Sequence, residues 1–302
     1  MDQLVAVRVF VRIAEVGSFA KAADSLNLPR SSVSKSLQDL EQHLQTKLVE
    51  RSTRALTITP EGEAYREHAQ RLLADLDEMD GAAAGTRASP RGRLRVDVGS
   101  SLANLIIIPQ LPDFRARYPD VELQLGVSDR PVDLIGEGVD CVIRGGELAD
   151  TSLIARRLCT LEAVTCATPA YLSAHGVPRH PHDLEAHAGI TYLFQQTGKS
   201  YPMRFTKGSE THEIYPGSTI GISESTAHTN AVLAGLGIGQ IFRFGVSAHI
   251  AAGRLVPILE DWDQPNAPIH LVYPATRHQS AKLRAFADWV IDLFTRPGCR
   301  VS

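Results

Sequence analysis

A run of hydroxyl and basic side chains between residues 30 and 35 contains the residue types that contact nucleic acid. The run consists of Arg30, Ser31, Ser32, Ser34 and Lys35. Hydroxyl groups can bond phosphate oxygens or base edges, and arginine and lysine neutralise phosphate charge. The same segment repeats apolar residues at helical spacing, at Val33, Leu37, Leu40 and Leu44. The pattern predicts a recognition helix that lies in the major groove of DNA, and the alternative is a solvated helix hairpin in an α-helical domain.

A second basic group follows in a segment with strand-like alternation. Residues 48–59 are rich in β-branched side chains and predict a short two-stranded ribbon. The residues near its tip that we expect to contact DNA are Arg51, Thr53 and Arg54. Such a ribbon beside a recognition helix is a wing that grips phosphate or the minor groove. An ordinary surface hairpin with two solvated arginines is the alternative.

Small hydroxyl groups and one guanidinium follow strand-like segments in the second half of the chain. They are Ser100, Ser101, Ser128 and Arg144. In open α/β sheets, ligands bind at the carboxyl ends of the strands. These groups suit a small anionic or polar organic ligand. The alternatives are serines that are satisfied within turns and an arginine held in a structural ion pair.

Helices must position the first group. Residues 2–16 form an amphipathic helix that Gly17 ends. Ser18 is a suitable N-cap for a second helix. Asn27 tolerates the left-handed conformation of a sharp turn, and Pro29 suits the first position of the third helix. The three helices predict a small core around a helix-turn-helix.

A long amphipathic helix follows the ribbon. Thr59 caps it, Pro60 takes its first position, and acidic residues fill its first turn. Its apolar seam runs through Ala64, Tyr65, His68, Ala69, Leu72, Leu73, Leu76 and Met79. Since we expect no core nearby to cover this seam, we predict that the helix pairs with a second copy of itself. Residues 85–92 then form a hinge of small residues, proline and glycine.

Short apolar segments alternate with helical ones from residue 94 onward. The predicted strands are 94–98, 121–127, 141–144, 154–158, 163–166, 190–193, 237–241 and 269–273. The predicted helices are 101–118, 132–138 and 281–294. This alternation indicates parallel α/β layers arranged in one or two lobes.

The composition is that of a globular protein of 302 residues, with 43% hydrophobic and 22% charged residues and a net charge of −3. Because the net charge is negative, any nucleic-acid site must be local. The first 60 residues contain eight lysines or arginines against six acids, which is a modest positive bias. We find no charged start followed by a long apolar run and no apolar stretch of membrane-spanning length. A cytoplasmic location and no membrane partner are therefore expected.

The four cysteines, Cys141, Cys159, Cys166 and Cys299, form no CxxC pair. Small buried hydrophobes with reduced thiols are the expected reading. A redox-sensing pair is the alternative, and Cys159 and Cys166 are closest in sequence.

Other classes of protein find weaker support. The chain has no GxSxG nucleophile motif, and the glycines at 235, 237 and 239 lack the last glycine of a dinucleotide-binding loop. Four histidines lie in a proline-rich region at His175, His180, His182 and His187, but no cysteine or paired-carboxylate spacing supports a zinc site. A solute-binding protein would match the second half alone. We expect no enzymatic activity, cofactor or metal.

The order of features resembles the LysR-type transcriptional regulators. The N-terminal motifs are Glu15-x-Gly17-Ser18-Phe19-x-x-Ala22-Ala23, Leu26-x-Leu28-Pro29-x-Ser31-x-Val33-Ser34-Lys35, Leu40-Glu41-x-x-Leu44-x-x-x-Leu48 and Leu56-Thr57-x-Thr59-x-x-Gly62. Further motifs are Pro178-x-x-Pro181-x-Asp183-Leu184-x-x-His187, Ala231-x-x-Ala234-Gly235-Leu236-Gly237-Ile238 and Gly253-Arg254-Leu255-Val256-Pro257. The segment 140–148, DCVIRGGEL, is similar to the branch that includes CrgA-like regulators.

The resemblance implies an α/β protein with an N-terminal all-α winged helix-turn-helix and a two-lobed effector domain like a periplasmic binding protein. The implied divisions are a DNA-binding domain at 1–59, a dimerising linker helix and hinge at 60–91, and an effector domain at 92–302, with lobe I at 92–162 and 267–302 and lobe II at 163–266. A small-molecule effector in the interlobe cleft would modulate the binding or bending of promoter DNA. The usual effector positions map to Ser100, Ser101, Ser128, Arg144, Phe194 and Ser225, of which the last three are assigned by position alone. Tetramers built from dimers are common in this family, and RNA polymerase is a candidate partner.

Two positions depart from the family pattern. Gln45 stands where glycine is usual after the recognition helix, so the helix is expected to end slightly differently. Lys35 stands where arginine is common, and lysine is a point charge rather than a bidentate fork.

Overall fold

The computed structural model describes residues 1–51, 56–83, 89–145, 153–275 and 280–296. The chain divides into two compact units, Met1–Ala88 and Ser89–Ser302, which are described separately below. In the described part of the chain, no helix is both long and apolar enough to cross a bilayer.

The first unit consists of three helices, a two-stranded ribbon and a long helix. The elements are α1 (Gln3–Val16), α2 (Phe19–Leu26), α3 (Arg30–Leu44), β1 (Val49–Arg51), β2 (Leu56–Ile58) and α4 (Pro60–Ala83). The ribbon is antiparallel and pairs Val49 with Ile58. The unit has its own apolar core, whose largest fully buried side chains are Phe10, Ile13, Leu37, Leu40 and Leu48.

The caps of α2 and α4 lie where the sequence predicted them. The Ser18 hydroxyl accepts a hydrogen bond from the amide of Lys21 at 3.4 Å, and Asn27 ends α2 with a φ of 53°. The Thr59 hydroxyl accepts the amide of Gly62 at 2.9 Å, as predicted for the cap of α4. Pro29 is the N-cap of α3 and not its first helical residue, so the expected position is wrong by one residue.

Gln45 ends α3 in the left-handed conformation, with a φ of 55°, although it is not glycine. Because a Cβ atom is strained at positive φ, we expect Gln45→Gly to stabilise the first unit by about 0.5–1 kcal/mol. The bond from Gln45 Nε2 to the Gln42 carbonyl, at 2.9 Å, offsets part of this gain. Gly17, with a φ of 64° and open space around its missing Cβ, is the reciprocal control. Gly17→Ala should destabilise the unit in thermal unfolding, and equal stability of all three proteins would contradict the argument.

The seam of α4 is partly used within its own unit, so the expectation that no core lies nearby is wrong for its first half. Ala69 is buried, and Tyr65 and Leu73 pack against the core; the rings of Tyr65 and Phe10 are 5.7 Å apart. On the same helix, Leu72 and Met79 are 51% and 59% exposed. These exposed side chains remain available to another partner.

The second unit contains two lobes joined by shared strands. Its strands are β3 (Gly92–Val98), β4 (Val121–Val127), β5 (Cys141–Gly145), β6 (Leu153–Ala167), β7 (Ala188–Tyr192), β8 (Met203–Lys207), β9 (Glu210–Ile214), β10 (Ser218–Ile222), β11 (Ile238–Phe242), β12 (Val256–Ile258) and β13 (Asn266–Pro274). Its helices are α5 (Ser100–Leu102), which continues through a π-helical turn (Ala103–Ile107) into α6 (Ile108–Arg117), α7 (Pro169–His175), α8 (Ser225–Leu233), α9 (Arg243–Ala251) and α10 (Ala281–Thr295). A 3₁₀ turn spans Pro181–Ala186.

The strand order is β10-β7-β11-β6-β13-β5-β3-β4, with β12 also paired to β6. In lobe I, β3 is parallel to β4 and to β5, while β13 is antiparallel to β5. In lobe II, β7 is parallel to β10 and to β11. The strand β6 serves both lobes, since its first part pairs with β13 and its last part with β11. The sheet is therefore mixed. The prediction of parallel layers is correct for the parallel pairs and does not account for the antiparallel ones.

Three local expectations are corrected by the structure. The predicted strands at 154–158 and 163–166 are one strand of 15 residues, β6. The predicted helix at 132–138 is a turn, in which the Asp133 carboxylate accepts the amides of Ile135 and Gly136. The sequence patterns also did not predict several elements, namely the hairpin of β8 and β9, the strands β10 and β12, and the helices α7, α8 and α9.

Candidate functional site

The recognition helix presents the predicted polar residues on the side opposite its buried one. Val33, Leu37 and Leu40 are buried, with relative exposures of 0–1%. On the other side, Arg30, Ser31 and Lys35 are exposed, and Ser32 and Ser34 are half-buried. Short side chains on an exposed helix face allow the backbone to approach a groove, so this geometry suits contact with DNA.

The start of α3 adds a second feature that favours phosphate. Its N-cap is Pro29, which makes no side-chain capping bond. The first amides of a helix lack intrahelical acceptors and carry partial positive charge. A phosphate oxygen beside Arg30 and Ser31 could therefore accept hydrogen bonds from the main chain as well as from side chains.

The ribbon is fastened to the recognition helix by a buried carboxylate that the sequence patterns did not single out as functional. Glu41, on α3, is 7% exposed and accepts the amides of Leu48 at 3.0 Å and Val49 at 3.2 Å. It also forms an ion pair with Lys47 at 2.6 Å. The ribbon therefore begins at a fixed place beside α3, above a groove lined by Ser34, Gln38, Glu41, Lys47, Val49 and Glu50.

A close backbone contact fastens the same end of the ribbon to the start of α4. The Thr59 hydroxyl donates to the Lys47 carbonyl at 2.7 Å, and the Thr59 amide donates to the Leu48 carbonyl at 3.1 Å. A Cβ on Gly62 would lie 2.1 Å from that Leu48 carbonyl oxygen, so only glycine fits there. Of the predicted ribbon contacts, Arg51 is the last residue of β1, while Thr53 and Arg54 lie outside the described residues.

The second predicted site lies at the carboxyl ends of β3, β4 and β5. Since these strands are parallel neighbours, Ser100, Ser128 and Arg144 come to the same edge of the sheet. Arg144 forms an ion pair with Asp97 and places Nη2 3.3 Å from the Ser128 hydroxyl. Arg144 is thus in the structural ion pair that sequence reasoning kept as an alternative, and it also lies at the strand ends as predicted.

The ion pair of Arg144 and Asp97 is largely buried. Burial raises the pKa of Asp97 and lowers the pKa of Arg144, while the two charges oppose these shifts. The Nε and Nη1 atoms of Arg144 are buried and have no hydrogen-bond partner among the described residues. Room for Asp97 comes from Gly126 on β4, where a Cβ would lie 2.5 Å from Asp97 Oδ2. An acceptor group of a ligand at this position would satisfy the remaining donors of Arg144.

Residues of the two lobes meet at the predicted serines. The Ser101 amide, in lobe I, donates to the Ser225 hydroxyl, in lobe II, at 3.0 Å. The Asp129 carboxylate accepts the amide of Ser100 at 2.8 Å and the amide of Ser225 at 2.5 Å. The structure therefore brings Ser100, Ser101 and Ser225 together, and it adds Asp129, which was not among the predicted site residues.

Two further residues at this position were missed. Tyr192, at the end of β7, has its pKa raised by burial and then by the charge of Asp129. Glu224 caps α8 by accepting the amides of Thr226 at 3.0 Å and Ala227 at 2.5 Å. Burial raises the pKa of Glu224, but these amides and the Ser100 hydroxyl outweigh it, so that the pKa lies below its usual value. Tyr192 lies near the end of a predicted strand, which was the signal used for Ser100 and Ser128, whereas Glu224 follows β10, a strand that was not predicted.

The described ring contact of Phe194 is with Tyr201 and not with a predicted site residue. Phe194 is 40% exposed and its ring packs 3.9 Å from the ring of Tyr201. Among the contacts of the described residues, none joins Phe194 to Ser100, Ser128 or Arg144. Its assignment by position therefore gains no geometric support.

The histidines of the proline-rich region are packed with aromatic rings. His175 stacks on Tyr171 at 4.3 Å, and His187 lies 5.9 Å from the same ring. His180 and His182 both contact another histidine, His212, and the rings of His180 and His212 contact the ring of Trp262. Within the described ranges, no group of three suitable side chains is placed to hold a metal ion.

The proposed thiol pair is excluded by the strand that carries it. Cys159 and Cys166 both lie on β6, and seven residues of extended strand span roughly 23 Å. A disulfide requires Cα atoms less than about 7 Å apart. Cys141 and Cys166 are buried, and burial raises the pKa of the Cys166 thiol to about 12. Cys299 lies outside the described residues.

Comparisons with known proteins agree with the division of the chain into two units. Residues 4–63 match the bacterial regulatory helix-turn-helix family of lysR type, and residues 87–295 match the LysR substrate binding domain. An HTH-type transcriptional repressor of Pseudomonas aeruginosa (strain UCBPP-PA14) is 40% identical over 97% of this chain and 93% of its own length. The uncharacterized HTH-type transcriptional regulator YhjC of Escherichia coli (strain K12) is 38% identical over 96% of this chain and 97% of its own length.

The solved structure of CrgA, a LysR-type transcriptional regulator from Neisseria meningitidis, has a TM-score of 0.62 and 30% identity. The match covers 96% of this chain and 98% of that chain. The chain belongs to the LysR family of transcriptional regulators. It is a DNA-binding regulator with an effector-binding domain, and not an enzyme, and the predicted similarity to CrgA is confirmed.

Proposed function

We propose that this regulator binds a promoter as a dimer or tetramer and that a small molecule in the interlobe cleft changes how it binds or bends the DNA. The observation that carries the proposal is the set of hydrogen bonds joining Ser101 and Asp129 of lobe I to Ser225 of lobe II. A ligand at this position would contact both lobes at once. Its binding free energy would therefore depend on their relative arrangement, which is the requirement for a ligand-controlled switch.

The proposed organisation follows the sequence divisions. Residues 1–59 bind DNA, residues 60–91 form the linker helix and hinge, and residues 92–302 form the effector domain. The exposed Leu72 and Met79 of α4 support a dimer contact through that helix, because a pair of such helices would bury them. A dimer places two recognition helices in successive major grooves. RNA polymerase is a further partner of the assembly in this proposal.

The proposed DNA contacts are Arg30, Ser31, Ser32, Ser34, Lys35, Arg51, Thr53 and Arg54. The proposed effector contacts are Ser100, Ser101, Ser128, Arg144, Phe194 and Ser225. The exposed face of α3 supports the members of the first set that lie on that helix, and the convergence of strand ends supports the second set, apart from Phe194.

The first test is a gel shift with the DNA just upstream of the coding region, at two salt concentrations. A specific, salt-sensitive shift would support the proposal and supply a probe for effector screening. If the protein bound no DNA even at low salt, the assignment of α3 as a recognition helix would be abandoned.

Lys35→Ala should weaken operator binding roughly tenfold and reduce the slope of log affinity against log salt by about 0.9, since one phosphate contact is lost. The fold should not change, because Lys35 is exposed. Lys199→Ala removes the same charge from an exposed position in the second unit and serves as the matched control. An unchanged affinity and salt slope in the Lys35 variant would refute its assigned contact.

A further inference from the structure

A carboxylate of the protein itself occupies the meeting point of the two lobes. Asp129 follows β4 of lobe I, and its two oxygens accept the amides of Ser100 and Ser225 at 2.8 and 2.5 Å. The Ser101 amide adds a bond to the Ser225 hydroxyl at 3.0 Å. We call these four residues, Ser100, Ser101, Asp129 and Ser225, the cross-lobe latch.

The amides in the latch are of the kind that bind anions. Ser100 is the first residue of α5 and Ser225 is the first residue of α8. Amides at these positions have no acceptor within their own helix. A carboxylate between two such amides makes charge-assisted hydrogen bonds to both, and Asp129 provides it from within the chain.

The surrounding charges oppose the entry of a second carboxylate. The charged groups that act most strongly on Tyr192 beside the latch are Asp129, Arg144 and Glu224. Arg144 is already paired with Asp97, and Glu224 is held by its own helix amides. An anion bound to the latch amides would therefore lie near two carboxylates, those of Asp129 and Glu224. The cation of this group, Arg144, is already paired with Asp97.

We propose that Asp129 is an internal ligand that holds the lobes together and determines the charge of the effector. The proposal rests on the function assigned to the cleft. The effector is then an uncharged or cationic polar molecule, which places no carboxylate on the amides of Ser100 and Ser225. Of the anionic or polar organic ligand that Arg144 and the serines led us to expect, this proposal keeps the polar one and excludes the anionic one.

Hydrogen exchange of the full-length protein, followed by mass spectrometry, tests the latch. In Asp129→Ala, the amide of Ser225 loses its acceptor, so its exchange should become roughly tenfold faster. Asp133→Ala is the matched control, because Asp133 caps a turn within lobe I through Ile135 and Gly136. It should accelerate exchange at those residues and leave the lobe II segment around Ser225 unchanged. Unaltered exchange at Ser225 in Asp129→Ala would overturn the proposal.

Added acetate tests the charge specificity. In Asp129→Ala the vacated place should accept acetate, and millimolar acetate should restore slow exchange at Ser225. Asp129→Asn fills the same space but offers one acceptor oxygen in place of two, so the amide of either Ser100 or Ser225 should exchange faster, and acetate should not slow it. If Asp129→Ala folds poorly, Asp129→Asn still tests whether exchange in the latch depends on the carboxylate. Acetate that slows exchange at Ser225 in the wild-type protein would overturn the proposed exclusion of carboxylates.

The outcome is separable from that of the proposed function. The exchange experiment uses neither DNA nor effector, so failure of the latch would leave a salt-sensitive DNA shift of the wild-type protein unaffected. A protein with an intact latch that bound no DNA would refute the regulator mechanism and leave the assignment of Asp129 in place.

Discussion

Replacing Glu41 by alanine should lower the free energy of unfolding of the first unit by about 2–3 kcal/mol, since it leaves two buried amides without acceptors. The amides are those of Leu48 and Val49, at the start of the ribbon. Because the ribbon would no longer be fixed beside α3, DNA affinity should fall as well. Both tryptophans, Trp262 and Trp289, lie in the second unit, so hydrogen exchange of the α1 and α3 amides is the measurement of choice.

The matched control for this variant is Glu50→Ala. Glu50 is exposed on β1, next to the same segment, and its removal should change stability by less than about 0.5 kcal/mol. Tryptophan fluorescence should report an unchanged second unit in both variants. If the Glu41 and Glu50 variants were equally stable, the buried carboxylate would not be the anchor of the ribbon.

Replacing Asp97 by alanine should lower the free energy of unfolding of the second unit by about 3 kcal/mol, because it strands the partly buried Arg144 charge. The side chains of Asp97 and Arg144 are only 11% and 19% exposed. Denaturant unfolding followed by tryptophan fluorescence measures the loss. Glu137→Ala breaks an exposed ion pair with Arg130 nearby and should leave the transition almost unchanged.

The double variant Asp97→Ala, Arg144→Met distinguishes a stranded charge from lost packing. Since a buried pair is costly to desolvate, removing both charges should recover most of the stability lost in the single variant. A double variant less stable than Asp97→Ala would show that the two side chains do not act as a pair. Effector binding is not required for either measurement.

The helices of the first unit were predictable because their signals are local. Ser18, Asn27 and Thr59 act within three residues of their own position, and the apolar spacing of α3 depends only on the helical period. The polar face of α3 follows from the same period. Glu41 was missed as an anchor because a carboxylate in a helical sequence looks like a solvated residue until the ribbon folds back on it.

Elements of the second unit were predicted where an apolar strand or helix is complete in itself, as for β4 and α10. The continuous strand β6 was predicted as two strands, which left out residues 159–162 where it passes from one lobe to the other. Its continuity comes from pairing with β13 and β11. The hairpin of β8 and β9 is likewise stabilised by packing of Met203, Phe205 and Ile214 in the lobe II core.

The sequence by itself determined the family, the recognition helix and the strand ends at which we propose that a ligand binds, because each depends on residues close together in the chain. Only the tertiary structure shows that the carboxylate of Asp129 lies where the two lobes meet. Asp129 and Ser225 are 96 residues apart, and Arg144 and Asp97 are 47 residues apart. A carboxylate after a strand is compatible with a turn, an ion pair or a bridge between lobes, and only the folding of both lobes places the amides of Ser100 and Ser225 on Asp129.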